Sequence, residues 1–198
     1  MKARKLPFLT VEEYIKQELE SDSKCEYHDG KIYSLAGGTV NHGKISGNVY
    51  IELRNLLKAK KSKCLPFNSD VKLFIDATNS YVYPDSMVVC GEKESDENEH
   101  SVSSPILIVE VLSNSTSGYD RGDKFYKYRQ IPTFKEYVLI EQDKYVVDVH
   151  YKKGKSDLWR ITRYNGLNTK VRLQSLDLEI SMEDLYYSTI ISESNLSE

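Results

Sequence analysis

A single carboxylate interrupts the most apolar segment of this 198-residue chain. Glu110 lies within Pro105–Leu112, PILIVEVL, which has no other polar side chain and is typical of a strand buried on both faces. A buried carboxylate without a partner costs several kcal/mol, or its pKa changes until the group is neutral. Glu110 is therefore either a core glutamate paired with a lysine or arginine, or a functional group.

A second carboxylate, Asp85, follows Pro84 near the start of a predicted strand over 81–90. Proline in a strand marks an edge or an irregular start. If this strand lies beside 105–112, Asp85 and Glu110 can converge on one cation from the same cavity. Two carboxylates completed by waters are a typical Mg²⁺ site. A Pro-Asp pair taken alone is also compatible with an ordinary turn.

A lysine follows these carboxylates on a predicted helix over about 120–130. Asp120, Lys124 and Tyr128 are spaced four residues apart and share one helix face. This spacing is compatible with a plain surface ion pair. Alternatively, the Lys124 ammonium points toward Asp85 and Glu110 and is separated from their carboxylates by no more than about one bridging water. Lys127 lies a turn away around the helix, and we expect Lys127→Ala to keep most of the function that Lys124→Ala would lose.

Local patterns predict the elements that position these side chains. Thr10 and Glu13 form a capping box that predicts a helix over 11–20. Asp29-Gly30 between two alternating segments predicts a hairpin. The further predictions are a helix over about 41–61, strands over 65–75 and 136–140, a hairpin of 144–152 and 157–164, and a short helix after Ser181. This order favours a mixed α/β domain built on one central sheet.

Composition limits the class of protein. With 39% hydrophobic residues, the chain can form one domain with a real core. No apolar run approaches the roughly 18 to 20 residues of a membrane helix, and the N-terminus lacks the apolar stretch of a secretory signal. The cysteines Cys25, Cys64 and Cys90 show neither metal-site spacing nor a paired disulfide framework. We therefore expect a reducing, cytoplasmic setting.

The net charge of −3 hides a strong pattern. Residues 91–104 carry five acids and one lysine and are predicted to form an acidic loop, and 192–198 are predicted to be a flexible tail. Residues 54–63 carry five basic side chains and no acid. Lys2, Arg4 and Lys5 add three more cations. The net charge argues weakly against a general nucleic-acid coat, but local fields rather than net charge steer an anionic partner.

Several short segments, taken together and in order, resemble the Uma-type endonuclease family of the PD-(D/E)XK nuclease superfamily. They are Glu26–Lys31, Asn41-His42, Ser69–Val71, Tyr83–Asp85, Glu110–Thr116, Asp120–Tyr128 and Glu136–Leu139. The resemblance covers nearly the whole of 1–198 and implies one nuclease-like domain. It implies a restriction-endonuclease-like core, with a central mixed β-sheet flanked by helices and extra C-terminal strands.

The resemblance also implies an activity, which is Mg²⁺- or Mn²⁺-dependent hydrolysis of DNA phosphodiester bonds. Asp85 and Glu110 would hold the metal with the Val111 carbonyl, and Lys124 would orient the attacking water or stabilise the phosphate. In the wider superfamily a lysine stands two positions after the glutamate, where this chain has Leu112. The resemblance places that lysine at position 124 instead.

Further residues are assigned supporting or binding roles. Glu26 is the nearest match to the helical acid of the family, and His42, Asp70 and Asp120 are candidates for lining the site. The cations expected to follow the phosphate backbone are Arg54, Lys58, Lys60 and Lys61. Alternatively, these basic side chains only form the solvated end of a helix, because cations near a helix C-terminus interact favourably with the helix dipole.

Two other function classes stay open. The first is a catalytically inactive nuclease-fold domain that binds DNA or protein. The second is an α/β interaction module, such as a homodimer, that uses the 15 tyrosines as contact surface. No membrane partner is expected. Divalent-metal binding at Asp85 and Glu110 separates the nuclease hypothesis from the first class. The oligomeric state and any exposed apolar face separate it from the second.

Overall fold

The computed structural model describes residues 8–21, 23–35, 37–91, 101–154 and 157–192. Its strands are β1 (Cys25–His28), β2 (Lys31–Ser34), β3 (Cys64–Asn68), β4 (Lys72–Ile75), β5 (Ser80–Val82), β6 (Ser86–Cys90), β7 (Ser101–Val102), β8 (Pro105–Leu112), β9 (Glu136–Glu141), β10 (Val146–Lys152), β11 (Trp159–Asn165), β12 (Lys170–Leu173) and β13 (Leu178–Ser181). Its helices are α1 (Val11–Leu19), α2 (Val40–Ala59), α3 (Ser117–Tyr119, a π turn over Asp120–Lys124, then Phe125–Tyr128) and α4 (Met182–Leu185).

A six-stranded mixed sheet forms the centre of the fold, in the order β11-β10-β9-β8-β6-β3. Strands β8 and β9 run parallel and are joined by α3, whereas the other neighbours are antiparallel. The predicted architecture, a central mixed sheet flanked by helices with additional C-terminal strands, is confirmed.

Alternation along β8 assigns its side chains to two cores. Leu107, Val109 and Val111 pack on one face with Ile45, Val49 and Leu53 of α2 and with residues of β12, β13 and α4. Ile108 and Leu112 pack on the other face with Tyr128, Phe134 and Tyr137. Glu110 belongs to this second face, so the strand presents its one carboxylate to α3.

A second, five-stranded sheet, in the order β2-β1-β5-β4-β7, carries the N-terminal part. Helix α1 packs on it through Tyr14, whose ring lies 5.1 Å from that of Tyr27 and 5.6 Å from that of Tyr81. The helix begins at the predicted capping box, in which Thr10 and Glu13 bind each other's backbone N–H. This sheet positions β1, which carries Glu26.

Two of the predicted strands are wrong in extent. The predicted strand over 65–75 is divided into β3 and β4, and the one over 81–90 into β5 and β6, and each half belongs to a different sheet. The second break falls at Pro84, which has no N–H for a ladder hydrogen bond. The sequence pattern concealed both breaks because apolar residues stand on both sides of each break.

Some of the remaining predicted elements are confirmed, and others lie partly outside the described residues. The hairpin at Asp29-Gly30, the long helix α2 and the strand β8 form as expected. The acidic segment includes β7, whose Ser101 and Val102 are buried. The rest of that loop, 92–100, and also 193–198 and Lys2, Arg4 and Lys5, lie outside the described residues. In the part that is described, no helix is long and apolar enough to cross a membrane.

The cysteine prediction is wrong. Cys64 of β3 and Cys90 of β6 form a disulfide across the two strands. They lie 26 residues apart in sequence but directly opposite each other in the antiparallel register, with Cα atoms 4.1 Å apart. Strand pairing, which residue spacing does not reveal, brings them together. The cysteines therefore give no support to a reducing compartment.

We predict that Gly30→Ala destabilises the protein by about 1–2 kcal/mol, because Gly30 has a left-handed φ of +87° in the turn between β1 and β2. A Cβ there would also lie 2.4 Å from the Phe8 ring, although this exposed ring can move. Urea unfolding measures the effect.

Gly47→Ala in α2 is the matched control. A Cβ at Gly47 meets no atom within 4 Å, so this variant should gain roughly 0.5–1 kcal/mol from helix propensity. A Gly30→Ala protein as stable as the unmodified chain would show that the turn does not need glycine.

Candidate active site

Asp85 and Glu110 meet where β6 and β8 begin to separate. The register pairs Ser86 with Val109, and continuing it by one residue places Asp85 opposite Glu110. The Val111 N–H donates to Asp85 Oδ2 at 2.7 Å. The Asp85 side chain thus binds the backbone of β8 just past the last residue pair of the two strands.

Lys124 is the cation of this site. Its Nζ lies 2.8 Å from Glu110 Oε1, 3.5 Å from Glu26 Oε1 and 3.7 Å from Asp120 Oδ1. Only 6% of Lys124 is exposed, and 3% of Glu110. We call Glu26, Asp85, Glu110, Asp120 and Lys124 the acidic cluster.

The α3 face predicted from the sequence forms this contact. Tyr128 donates to Glu110 Oε1 at 2.7 Å, so Asp120, Lys124 and Tyr128 all point toward β8. Asp120 and Lys124 bound a π turn, a feature that is frequent at functional sites. Leu112, where the wider superfamily has its lysine, is buried in the core.

Glu26 reaches the cluster from the second sheet. Its Oε1 accepts from the Tyr83 N–H at 3.2 Å, and its Oε2 lies 3.2 Å from His28 Nε2. The break before Pro84 turns the Tyr83 N–H toward this carboxylate. The irregular segment 83–85 therefore links Glu26 and Asp85.

His42 approaches from the first turn of α2. Thr39 caps this helix by accepting from the His42 N–H, and His42 Nε2 lies 3.3 Å from Asp85 Oδ2. The hydrogen bond with Asp85 raises the pKa of His42, although burial opposes it. Gly38 allows this close packing, since a Cβ there would lie 2.8 Å from His42 Nδ1.

Burial and mutual charge set the ionisation of the cluster. Burial raises the pKa of Glu110 to about 8, helped by the charges of Asp120 and Asp85 and opposed by Lys124. Burial alone would lower the pKa of Lys124, but Glu110, Glu26 and Asp120 raise it well above its usual value. Lys124 is therefore protonated, and the cluster retains an excess of carboxylates.

The structure separates the other predicted residues from the cluster. Asp70 is exposed and pairs with Lys24 at 2.6 Å. Arg54 and Lys58 are exposed on α2, about 18 to 24 Å along the helix from His42. Lys60 pairs with Asp177 at 2.8 Å, and Lys61, just past the helix, is exposed. The basic run thus lies at the end of α2 opposite to the site.

Several residues of the site were missed by sequence reasoning. His28 contacts Glu26, Tyr119 and Lys127, with Tyr119 Oη 3.2 Å from its Nε2 and Lys127 Nζ 2.7 Å from its Nδ1. Glu26 and His28 are two residues apart in one strand and therefore share a face, which was the available signal. Nothing local in the sequence connects Lys127 with His28.

The carboxylates of Asp85 and Glu110 could hold a hard metal ion only if water molecules supplied the remaining ligands. No three histidine, cysteine or acidic side chains among the described residues are arranged to ligate one metal. Asp85 and Glu110 offer carboxylate oxygens, and Mg²⁺ is usually bound by one or two carboxylates and several waters. The hydrogen bonds and ion pairs described above involve one oxygen of each carboxylate, Oδ2 of Asp85 and Oε1 of Glu110. The two residues fit such an ion.

Comparison with known proteins gives one family. The model of the Uma2 family, described as "Putative restriction endonuclease", matches residues 11–183. The Synechocystis sp. protein named "Uncharacterized protein sll1609" is 36% identical over 171 residues, which cover 86% of this chain and 95% of that protein. A second one, "Uncharacterized protein slr1290", is 34% identical over 180 residues, covering 91% of this chain and 92% of the relative.

A solved structure has the same fold. The crystal structure of a "putative nuclease belonging to DUF820" from Anabaena variabilis superposes with a TM-score of 0.69. The match covers 90% of this chain and 97% of that one at 18% sequence identity. This likeness shows that the two chains share their architecture.

We predict that Glu26 stabilises the fold in a pH-dependent way. Burial would raise its pKa, but the Lys124 charge and the His28 hydrogen bond lower it from 4.5 to about 2. A carboxylate with a lowered folded-state pKa contributes stability that is fully present above pH 4.5 and is lost as the pH falls toward 2. Glu26→Gln should therefore cost about 3 kcal/mol at pH 7 and much less at pH 3.

Urea unfolding at several pH values between 3 and 7 measures this difference. Glu20→Gln, at the exposed end of α1, is the control and should change little at any pH. A Glu26→Gln cost that does not shrink in acid would contradict the assignment of the charge.

Proposed function

The chain belongs to the Uma2 family, and we propose that its acidic cluster catalyses metal-dependent hydrolysis of DNA phosphodiester bonds. The observation that carries the proposal is the contact between Lys124 Nζ and Glu110 Oε1 at 2.8 Å, beside Asp85 bound to the Val111 N–H. A cation and two carboxylates at a strand end are the groups that phosphodiester hydrolysis needs.

Asp85 and Glu110 would hold Mg²⁺ or Mn²⁺, with the Val111 carbonyl as a further oxygen donor. Such an ion lowers the pKa of a bound water and neutralises the charge that develops on the phosphate. The hydrogen bond from the Val111 N–H and the contact with His42 hold Asp85, and Tyr128 holds Glu110. These partners orient both carboxylates before any ion arrives.

Lys124 would act on the substrate as a protonated donor. Its ammonium lies among carboxylates that raise its pKa, so it carries a positive charge at neutral pH. From this position it can donate a hydrogen bond to a non-bridging phosphate oxygen or to the attacking water. Lys124 thereby replaces the lysine that Leu112 cannot supply.

We predict that the full-length protein nicks plasmid DNA with Mg²⁺ or Mn²⁺. Glu110→Gln and Lys124→Met should each reduce the rate about 10²- to 10³-fold, as expected when one group that stabilises transition-state charge is lost. A gel assay for nicked and linear plasmid measures the rate.

Lys135→Met is the matched control because Lys135 is an exposed lysine that follows α3. It should cleave like the unmodified protein. Divalent-metal binding without cleavage would favour the inactive DNA-binding or protein-interaction domain instead.

We further predict a separate contribution of the basic run to DNA affinity. Arg54→Ala, Lys58→Ala and Lys61→Ala combined should weaken binding and reduce the slope of log K against log salt by about 0.9 for each lost phosphate contact. Electrophoretic mobility shifts at several salt concentrations measure this slope. An unchanged slope would identify the run as a solvated helix end.

A further inference from the structure

A second lysine of α3 contacts the acidic cluster through a histidine. Lys127 Nζ lies 2.7 Å from His28 Nδ1, and His28 Nε2 lies 3.2 Å from Glu26 Oε2. The other oxygen of Glu26 accepts from the Tyr83 N–H and lies 3.5 Å from Lys124 Nζ. A continuous chain of polar contacts therefore runs from Lys127 to Lys124.

Two fixed partners determine the proton position on His28. A charged lysine only donates hydrogen bonds, so His28 Nδ1 must accept from Lys127. An ionised carboxylate only accepts, so His28 Nε2 must carry the hydrogen that is donated to Glu26. Both contacts require the same neutral tautomer. In this tautomer the Tyr119 hydroxyl oxygen, 3.2 Å from Nε2, can only accept from the same Nε2–H.

The surroundings of Lys127 constrain it to this contact. Its ammonium lies 5.9 Å from the centre of the Tyr119 ring, and the His28 ring lies 5.2 Å from that of Tyr33. Burial lowers the pKa of Lys127, and the nearby Lys124 adds to the effect, while Glu26 and Asp123 oppose it. Holding a second lysine here costs free energy that an exposed lysine would not.

Given the nuclease function proposed above, we propose that Lys127 and His28 are positioning residues for Lys124. Lys127 selects the His28 tautomer that donates to Glu26, and Glu26 with Glu110 then holds the Lys124 ammonium in place. Neither residue touches the metal ligands Asp85 and Glu110 in the contacts above. Their hydrogen-bonded path to Lys124 runs through Glu26.

The tautomer is tested by ¹⁵N NMR of the His28 ring in the full chain, assigned with a His28→Gln variant. The unmodified protein at pH 7 should show a protonated Nε2 and an unprotonated Nδ1. In Lys127→Met the His28 ring signals should shift, and the Lys124 ammonium protons should exchange faster with water. Lys127→Arg keeps a donor and should restore both spectra, whereas Lys135→Met should change neither.

Kinetics test the positioning role. Lys127→Met should lower kcat about tenfold with KM unchanged, and Lys127→Arg should recover most of the loss. A circular dichroism melt confirms that each variant is folded. A doubly protonated His28 ring or an Nδ1–H tautomer in the unmodified protein would overturn the proposal, and so would a Lys127→Met variant with unchanged spectra and kcat.

The two proposals fail in different ways. In one case the unmodified protein cleaves no DNA, but the His28 and Lys124 signals respond to Lys127→Met as expected. The nuclease function is then wrong, whereas the contacts from Lys127 through His28 and Glu26 still position Lys124. If the protein cleaves DNA but Lys127→Met changes neither spectra nor kcat, only the positioning role is wrong.

Discussion

The compensation of buried charge at Lys124 is the interaction on which the rest of this site depends. Glu110 lies in a strand whose other side chains are apolar, and its carboxylate could not stay there without a cation or a proton. Lys124 meets this need at 2.8 Å and is itself held by Glu26 and Asp120. Removing Lys124 would leave Glu110 protonated, and removing Glu110 would take the nearest counter-charge from the buried ammonium, so α3 and β8 are tied together electrostatically.

Both sheets contribute carboxylates to the acidic cluster. Asp85 directly precedes β6 of the central sheet, whereas Glu26 belongs to the smaller sheet, and the irregular segment 83–85 connects them. Pro84 ends strand pairing at this point, which frees the Tyr83 N–H for Glu26 and the Asp85 side chain for the Val111 N–H. One break in the backbone thus provides a hydrogen bond for Glu26, which contacts Lys124, and lets Asp85 bind β8 beside Glu110.

The excess of acid over base is the property that links this geometry to a function. Three carboxylates, those of Glu26, Glu110 and Asp120, contact Lys124, and Asp85 lies beside them. Burial raises the pKa of Glu110, and the charges of Asp120 and Asp85 add to this effect. In the function proposed above, a divalent cation held by Asp85 and Glu110 would offset this negative charge.

The sequence by itself determined the features that depend on local periodicity. The apolar run around Glu110, the i, i+4 face of Asp120, Lys124 and Tyr128, the Asp29-Gly30 turn and the capping box all concern neighbours within one element, where backbone geometry sets the direction of each side chain. Only the tertiary structure decided the long-range pairings, which local spacing does not encode. These are the division of two predicted strands between sheets, the Cys64–Cys90 disulfide, the pairing of Asp70 with Lys24, the placement of the basic run at the far end of α2, and the contact of Lys127 with His28.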